Sequence, residues 1–167
     1  PEPAVRVMSE HVPGMRQATS YLLDLGHREI AVMTGSAAHM AGRGRVEGFR
    51  RAFRDRGLDV PEHLILHGDF DRAFGESAAA RLLHGPRPPT AIICGGAPLL
   101  LGTLAVIHAA ELSVPGDLSL ISCDDVDLTQ RGDGSDFIAD PLHELLGDPV
   151  TLGVGIDPGF EDDEAAR

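Results

Sequence analysis

The chain is poor in aromatic residues and in basic charge. Its 167 residues include no tryptophan and no lysine, one tyrosine, and 14 basic residues against 26 acidic ones, for a formal net charge of −12. Affinity for nucleic acid depends on clustered Lys and Arg side chains that neutralise the phosphate backbone. This balance therefore argues against a surface that binds the phosphate backbone of nucleic acid, and we expect the chain by itself not to bind DNA.

Cysteine is also scarce. Cys94 and Cys123 are the two cysteines, and their spacing fits neither a CxxC pair nor a disulfide framework. We interpret them as small buried thiols, which are typical of a protein from a reducing compartment such as the cytoplasm.

Long hydrophobic runs and targeting signals are missing as well. No apolar run approaches the roughly 18 residues of a membrane span, and no charged-then-apolar leader opens the chain. We therefore expect no membrane partner. The chain begins with Pro1, which we interpret as the start of a fragment or of a processed product.

Residues for catalysis or metal binding are not grouped in a recognisable way. No Ser, His and Asp set has the context of a nucleophile elbow, so we expect no enzymatic activity. His63 and His67 lie on either side of a predicted strand, where a four-residue step separates side chains by about 13 Å. That separation is too large for one metal ion, and we expect neither a metal nor a cofactor.

The sequence does contain a regular alternation of short apolar runs and segments with helical periodicity. The pattern predicts strands at residues 30–33, 64–66, 91–94 and 118–122, and helices at residues 14–25, 43–56, 74–83 and 99–111. Because each strand is almost wholly apolar, both faces of the sheet should be covered by helices. The predicted fold class is α/β, with a parallel, Rossmann-like sheet built from βαβ units.

Two predicted loops follow the carboxyl ends of strands. Residues 94–96 are Cys-Gly-Gly and residues 123–125 are Cys-Asp-Asp. Open α/β folds bind their ligands at this edge of the sheet, so we expect a binding site there.

Five segments of the chain carry a resemblance to a known family. Residues 23–31 are similar to its LxxLGHxxIa segment, residues 45–49 to RxxGF and residues 68–70 to gdf, while residues 114–119 with 124–125 match vPxDvSvigfDD. In this order and spacing they resemble the effector-binding core of the LacI/GalR family of bacterial transcription regulators. The resemblance implies one lobe of a core like that of type I periplasmic sugar-binding proteins.

The resemblance also implies a division of the chain. Residues 1–10 correspond to a remnant of the first lobe and hinge, residues 11–137 to the effector-binding C-terminal lobe, and residues 138–167 form an irregular acidic tail. Beyond Asp125 only residues 138–145 echo the family's return segment, PxLTTvxqP. The family's helix-turn-helix headpiece and most of its first lobe have no counterpart here.

The family's pocket implies that Arg45, Phe70 and Asp124 face a small-molecule effector, and we add Arg43 and Gly96 as ligand-binding candidates. Arg45 offers a planar fork of donors, Asp124 can accept from two hydroxyls, and Phe70 presents an apolar ring face. Each also has a plainer interpretation. Arg45 could be a solvated charge, Phe70 could belong to the core, and Asp124 could cap a turn.

One departure from the family falls within the pocket. The chain has Gly96 and Ala97 where the family usually has Asn-Asp, and that Asn normally hydrogen-bonds the effector. No side chain can make the bond here. The departure predicts poor affinity for simple hexoses, or space for a bulkier ligand.

The function implied by the resemblance is ligand sensing in a cytoplasmic, carbohydrate-responsive transcription regulator. A sugar or sugar-like effector would shift a homodimer of the parent protein between conformations that differ in operator affinity. Operator DNA would be bound only through the headpiece that this sequence lacks.

Two alternatives stay open. A periplasmic sugar-binding protein shares the fold. A nucleotide-binding α/β enzyme would use Gly42 and Gly44 as a phosphate loop and Asp69 for the ribose. The spacing disfavours the enzyme, because the glycines lie well beyond the preceding strand and Asp69 comes later than the usual acidic residue.

Overall fold

The structure of the chain is a computed structural model that describes residues 11–123. The described elements are α1 (His11–Asp24), β1 (Ile30–Gly35), α2 (Met40–Arg54), β2 (Ile65–Gly68), α3 (Arg72–Leu83), β3 (Ala91–Cys94), α4 (Ala97–Ala109) and β4 (Ser119–Ser122). The four strands are parallel and lie in the order β2-β1-β3-β4. The predicted α/β class and parallel sheet are confirmed.

Both faces of the sheet are buried, as the apolar strands predict. In β1, Ile30 and Val32 belong to the core cluster beneath α1 and α2, whereas Ala31 and Met33 belong to the cluster on the opposite face. Successive side chains of a strand point to opposite faces, so a strand covered on both sides needs an unbroken apolar run. Residues 91–94 of β3 divide between the two clusters in the same way.

Helices pack in pairs, one pair on each face. On one face the Phe49 and Phe53 rings of α2 lie 5.0 Å apart and join Met15 and Leu22 of α1 in a common core. On the other face α3 and α4 meet at glycines. A Cβ at Gly75 would lie only 2.5 Å from the Leu99 carbonyl oxygen, so the absence of a side chain sets how closely these two helices approach.

Several elements begin at other residues than the periodicity predicts. Helix α2 starts at Met40 instead of residue 43. Met40 is largely exposed, so the apolar periodicity of the buried face does not reveal where the helix begins. Helix α3 starts at Arg72, where the Asp71 carboxylate accepts a 2.8 Å hydrogen bond from the Phe74 N–H as an N-cap. Strand β2 begins after Leu64, which ends the 3₁₀ turn Glu62–Leu64.

The two cysteines differ in their surroundings. Cys94 is fully buried in β3, and burial raises the pKa of its thiol to about 12. Cys123, just after β4, is half-buried, and neither cysteine forms a disulfide. The prediction of a buried thiol therefore holds for Cys94 and only in part for Cys123. A thiol with so high a pKa is almost wholly protonated at neutral pH and is a poor nucleophile.

Some expectations fall on residues that the structure does not describe. These are Asp124, Asp125, the segment assigned to the first lobe at residues 1–10 and the acidic tail at residues 138–167.

We expect Gly102→Ala to lower the free energy of unfolding by about 1–3 kcal/mol, because overpacking of this size is typical when a methyl group has no room. The added methyl would collide with the Arg72 carbonyl oxygen and lie 2.5 Å from the Glu76 nitrogen, where α4 crosses α3. Gly14→Ala is the control, since nothing lies within 4 Å of a methyl there. That change should stabilise the chain by roughly 0.5–1 kcal/mol through helix propensity. Urea denaturation measures both, and equal effects would contradict the close crossing.

Candidate functional site

A cleft opens at the carboxyl edge of the sheet, where β1 and β2 end and α2 begins. Its volume is about 410 Å³. The residues that line it come from the β1–α2 loop, the first turns of α2 and the β2–α3 loop: Gly35, Ser36, His39, Ala41, Gly42, Arg45, Gly68, Asp69 and Phe70. The cleft lies at the edge where parallel α/β sheets usually bind ligands, and two of the predicted site residues, Arg45 and Phe70, line it.

Arg45 is the main charged group in this cleft. Its side chain is only 9% exposed, and its guanidinium carbon lies 5.5 Å from the centre of the Phe70 ring. Within the described part of the chain its Nε atom has no hydrogen-bond partner. Buried donors are nearly always paired. Arg45 is therefore not a solvated surface charge but a buried cation with an unused donor in a cleft.

Phe70 lies on the β2–α3 loop and is 43% exposed, so it is not a core residue. Its ring is packed over the end of β1, where a Cβ at Gly35 would lie 3.2 Å from the ring. The ring face toward Arg45 makes a cation–π contact. The rest of the ring remains accessible to a ligand.

Arg43 lies on the same helix but has a different role from Arg45. Its guanidinium donates to the carbonyl oxygens of Ala37, at 3.1 Å, and Ala38, at 2.7 Å. These bonds hold the β1–α2 loop against α2, and Arg43 is not among the residues that line the cleft.

The β3–α4 loop approaches the same arginine from the other side. A Cβ at Gly95 would lie 3.2 Å from the Arg45 Cδ atom and 2.9 Å from the Met33 carbonyl oxygen, so only glycine fits here. Gly96 comes next and is the N-cap of α4, with an extended φ of 171°. It adjoins the cleft without lining it.

Strand β4 leads the chain toward the same edge. The N–H of Cys123 donates to the carbonyl oxygen of Cys94 at 2.9 Å, directly beyond the last paired residues of β3 and β4. Asp124 is the next residue and lies outside the described residues. Of the three residues predicted to line one cleft, the structure therefore shows Arg45 and Phe70 together.

Of the polar lining residues, Ser36 and His39 were not identified from the sequence, and Asp69 was considered only as the ribose contact of the alternative enzyme. Ser36 and Asp69 directly follow the ends of strands, so the carboxyl-edge rule could have identified both. His39 could not be found in this way, because its place at the start of α2 depends on where that helix begins. Beneath the cleft, the Thr34 hydroxyl is buried with no hydrogen-bond partner in the described residues.

Two glycines that resemble a nucleotide loop serve helix packing instead. A Cβ at Gly42 would lie 2.8 Å from the Gly35 carbonyl oxygen, and a Cβ at Gly44 would lie 3.1 Å from the His11 Cβ atom of α1. Gly42 faces the strand end and Gly44 faces another helix. They do not form the glycine-rich loop of a dinucleotide-binding enzyme.

Neither a metal cluster nor a membrane span occurs in the described part of the chain. Residues 11–123 bring no three His, Cys, Asp or Glu side chains into a group that could hold a metal ion. No helix among these residues is long and apolar enough to cross a membrane.

Comparison with known proteins identifies relatives of this fold and site. The periplasmic binding protein-like domain family matches residues 19–133. The HTH-type transcriptional repressor PurR of Escherichia coli O139:H28 is 38% identical over 120 residues, which are 72% of this chain and 35% of that protein.

Solved structures give the same result. A LacI-type transcriptional regulator from Bacillus cereus subsp. cytotoxis superposes with a TM-score of 0.69 and 29% identity, over 80% of this chain and 45% of that one. A sugar-binding LacI-family regulator from Escherichia coli, in complex with phosphate, has a TM-score of 0.68 and 27% identity, over 73% and 44%.

The chain spans about a third of the length of the curated relatives it matches. Those relatives are transcriptional repressors and not enzymes, which agrees with the expectation that the chain has no catalytic role. The motifs, the parallel sheet and the matched family lead to one assignment. The chain belongs to the periplasmic-binding-protein-like effector domains of the LacI/GalR family of transcription regulators.

Proposed function

We propose that this chain senses a small carbohydrate-like effector on behalf of a LacI-type transcription regulator. The observation that carries the proposal is Arg45, a nine-tenths buried guanidinium with an unpaired Nε atom that contacts the Phe70 ring in an open cleft. Burying a cation without an acceptor destabilises a fold unless something else provides one. A bound effector supplies that acceptor.

The chemistry of the cleft suits a polar ring. The Arg45 fork donates to hydroxyl or ring oxygens, the exposed part of Phe70 packs against ring C–H groups, and Asp69 accepts from hydroxyls at the cleft mouth. A volume of about 410 Å³ lies within the usual range for small-molecule sites. We include Asp124 in the proposed site as a second hydroxyl acceptor, together with Gly96, and Arg43 braces the loop that forms one wall.

The proposed mechanism is a population shift. Residues 11–137 act as the C-terminal lobe, residues 1–10 are a remnant of the hinge and first lobe, and residues 138–167 are an irregular acidic tail. The open and closed arrangements of the two lobes correspond to conformations of a cytoplasmic homodimer that differ in operator affinity. A ligand that binds the closed arrangement more tightly than the open one shifts the homodimer toward the closed conformation. DNA is bound through a separate headpiece, since the net charge of this chain is −12 and affinity for nucleic acid depends on an excess of basic charge.

A periplasmic-type sugar-binding protein is the second candidate, because it shares the fold. The identity of 38% with a transcriptional repressor favours the regulator. A helix-turn-helix encoded upstream of this chain in its gene decides between the two.

We expect Arg45→Ala to weaken effector binding about 10-fold to 100-fold, because a hydrogen bond to a charged group contributes about 1.5–3 kcal/mol. The measurement is calorimetry on the 167-residue chain with glucose, fructose, ribose and the monophosphates of each. Arg51→Ala is the control, since this residue lies on the same helix in an exposed ion pair with Glu47 and such pairs contribute little. If no sugar of either kind binds, or if Arg45→Ala leaves affinity unchanged, the proposed site is wrong.

We expect Gly96→Asn to tighten binding of at least one sugar by roughly 0.5–1.5 kcal/mol, the net contribution of one hydrogen bond. The extended φ of Gly96 is open to any residue, so the substitution brings no backbone strain. Asn is also a favoured N-cap. The same calorimetric panel measures the gain. A folded variant with no gain for any sugar would show that this loop does not contact the ligand.

A further inference from the structure

The start of helix α2 has backbone donors that nothing in the described chain uses. The first intrahelical bond runs from the Arg43 N–H to the His39 carbonyl oxygen at 3.1 Å. The N–H groups of Met40, Ala41 and Gly42 precede it, and no hydrogen bond between them and another group of residues 11–123 is present. His39 is the N-cap, but its side chain makes no capping bond, and the first turn has no acidic residue. This end of a 15-residue helix therefore carries its partial positive charge uncompensated.

Two of these free donors belong to residues that line the cleft, Ala41 and Gly42. Gly42 is buried against the end of β1, whereas Ala41 is half-buried and carries only a methyl group. Met40 is exposed to solvent instead. A ligand in the cleft thus lies next to the first turn of α2.

Arg45 adds a full positive charge at the same place. It lies four residues after Ala41 and three after Gly42, so all three share one face of α2. Helical side chains lean toward the N-terminus, which brings the long Arg45 side chain back over the first turn. Arg45 is buried and its Nε atom has no hydrogen-bond partner in the described residues. This observation is independent of the free N–H groups at the helix end, and it too points to a missing acceptor.

We propose that the cleft contains an anion subsite at the start of α2, and that the effector is a phosphorylated sugar. The phosphate oxygens accept hydrogen bonds from the Ala41 and Gly42 N–H groups and from the Arg45 guanidinium. This inference rests on the proposed function of the cleft and names the chemical class of its ligand.

The opposite wall explains why the anion is attached to a sugar. Asp69 is exposed on the β2–α3 loop, and Phe70 lies beside it. A bare anion gains nothing from this carboxylate, which can accept hydrogen bonds from hydroxyl groups. A sugar monophosphate places its phosphate at α2, its ring over Phe70 and its hydroxyls near Asp69, so each wall contacts the group that suits it.

The test compares matched ligands on the 167-residue chain. Glucose, fructose and ribose, their monophosphates, and inorganic phosphate are titrated into the ¹⁵N-labelled chain and followed by NMR. At least one monophosphate should bind 10-fold or more tightly than both its parent sugar and inorganic phosphate. Equal affinity for the phosphorylated and neutral forms would overturn the anion subsite while leaving the sugar site in place. Equal affinity for inorganic phosphate and the esters would overturn the sugar phosphate assignment.

His39→Asp separates the helix end from the rest of the cleft. A carboxylate at the N-cap accepts from the free N–H groups and repels the phosphate, while it supports the helix. Monophosphate affinity should fall about 10-fold or more relative to the affinity for the parent neutral sugars, and the melting temperature should stay the same or rise. Ala41→Glu, an acidic residue in the first turn, gives the same outcome by a second route.

The control for added negative charge is Ser77→Asp on the exposed surface of α3. It should leave the affinity of every ligand unchanged. Folded His39→Asp and Ala41→Glu chains that still bind the monophosphates as tightly as the original chain would show that α2 does not hold the phosphate.

Discussion

The burial of both faces of one parallel sheet is the constraint on which the rest of this structure depends. Parallel neighbours need a crossover between them, and here each crossover is a helix that covers one face. All four strands therefore end at the same edge. In the described part of the chain, the β1–α2, β2–α3 and β3–α4 loops leave the sheet at that edge, and the cleft between α2 and the β2–α3 loop is a direct consequence.

Within that edge, the position of Arg45 depends on close backbone approaches at glycine. Gly95 lets the β3–α4 loop pass beside the Arg45 side chain, and Gly42 lets the first turn of α2 press against the end of β1. A side chain at either position would push the helix or the loop away. The guanidinium is thus held between two loops with little freedom, which reduces the entropy that a ligand must overcome when it binds.

The cleft is also asymmetric in charge. The α2 wall combines a cation with free amide donors, whereas the opposite wall has an exposed carboxylate and an aromatic ring. This arrangement orients a ligand that has an anionic end and a hydroxylated end. It also offers a physical reason for Gly96 at the position where the family usually has Asn. A protein that binds one end of its ligand by charge depends less on an amide hydrogen bond at the other end.

Much of the fold follows from local patterns in the sequence. The apolar runs at β1, β3 and β4 predict strands covered on both faces, since the side-chain period of a strand leaves no other place for consecutive apolar residues. Element ends are predicted less well. The first turn of α2 does not continue the apolar periodicity of the helix, so the sequence does not reveal it. Leu64 is buried, but it belongs to a 3₁₀ turn and not to the strand that its apolar side chain predicted.

The site divides in a similar way between sequence and tertiary structure. The sequence motifs by themselves determined the family, and the resemblance predicted Arg45 and Phe70, which the structure places in one cleft. The pair Arg43 and Arg45 shows what they could not determine. Residues two positions apart on a helix point about 200° away from each other around its axis. One arginine therefore braces a loop while the other faces the cleft. Only the direction in which α2 packs on the sheet decides which arginine does which. Only the tertiary structure shows that His39 and the first turn of α2 lie at the cleft. Contacts between distant segments depend on how helices and strands pack and not on local sequence.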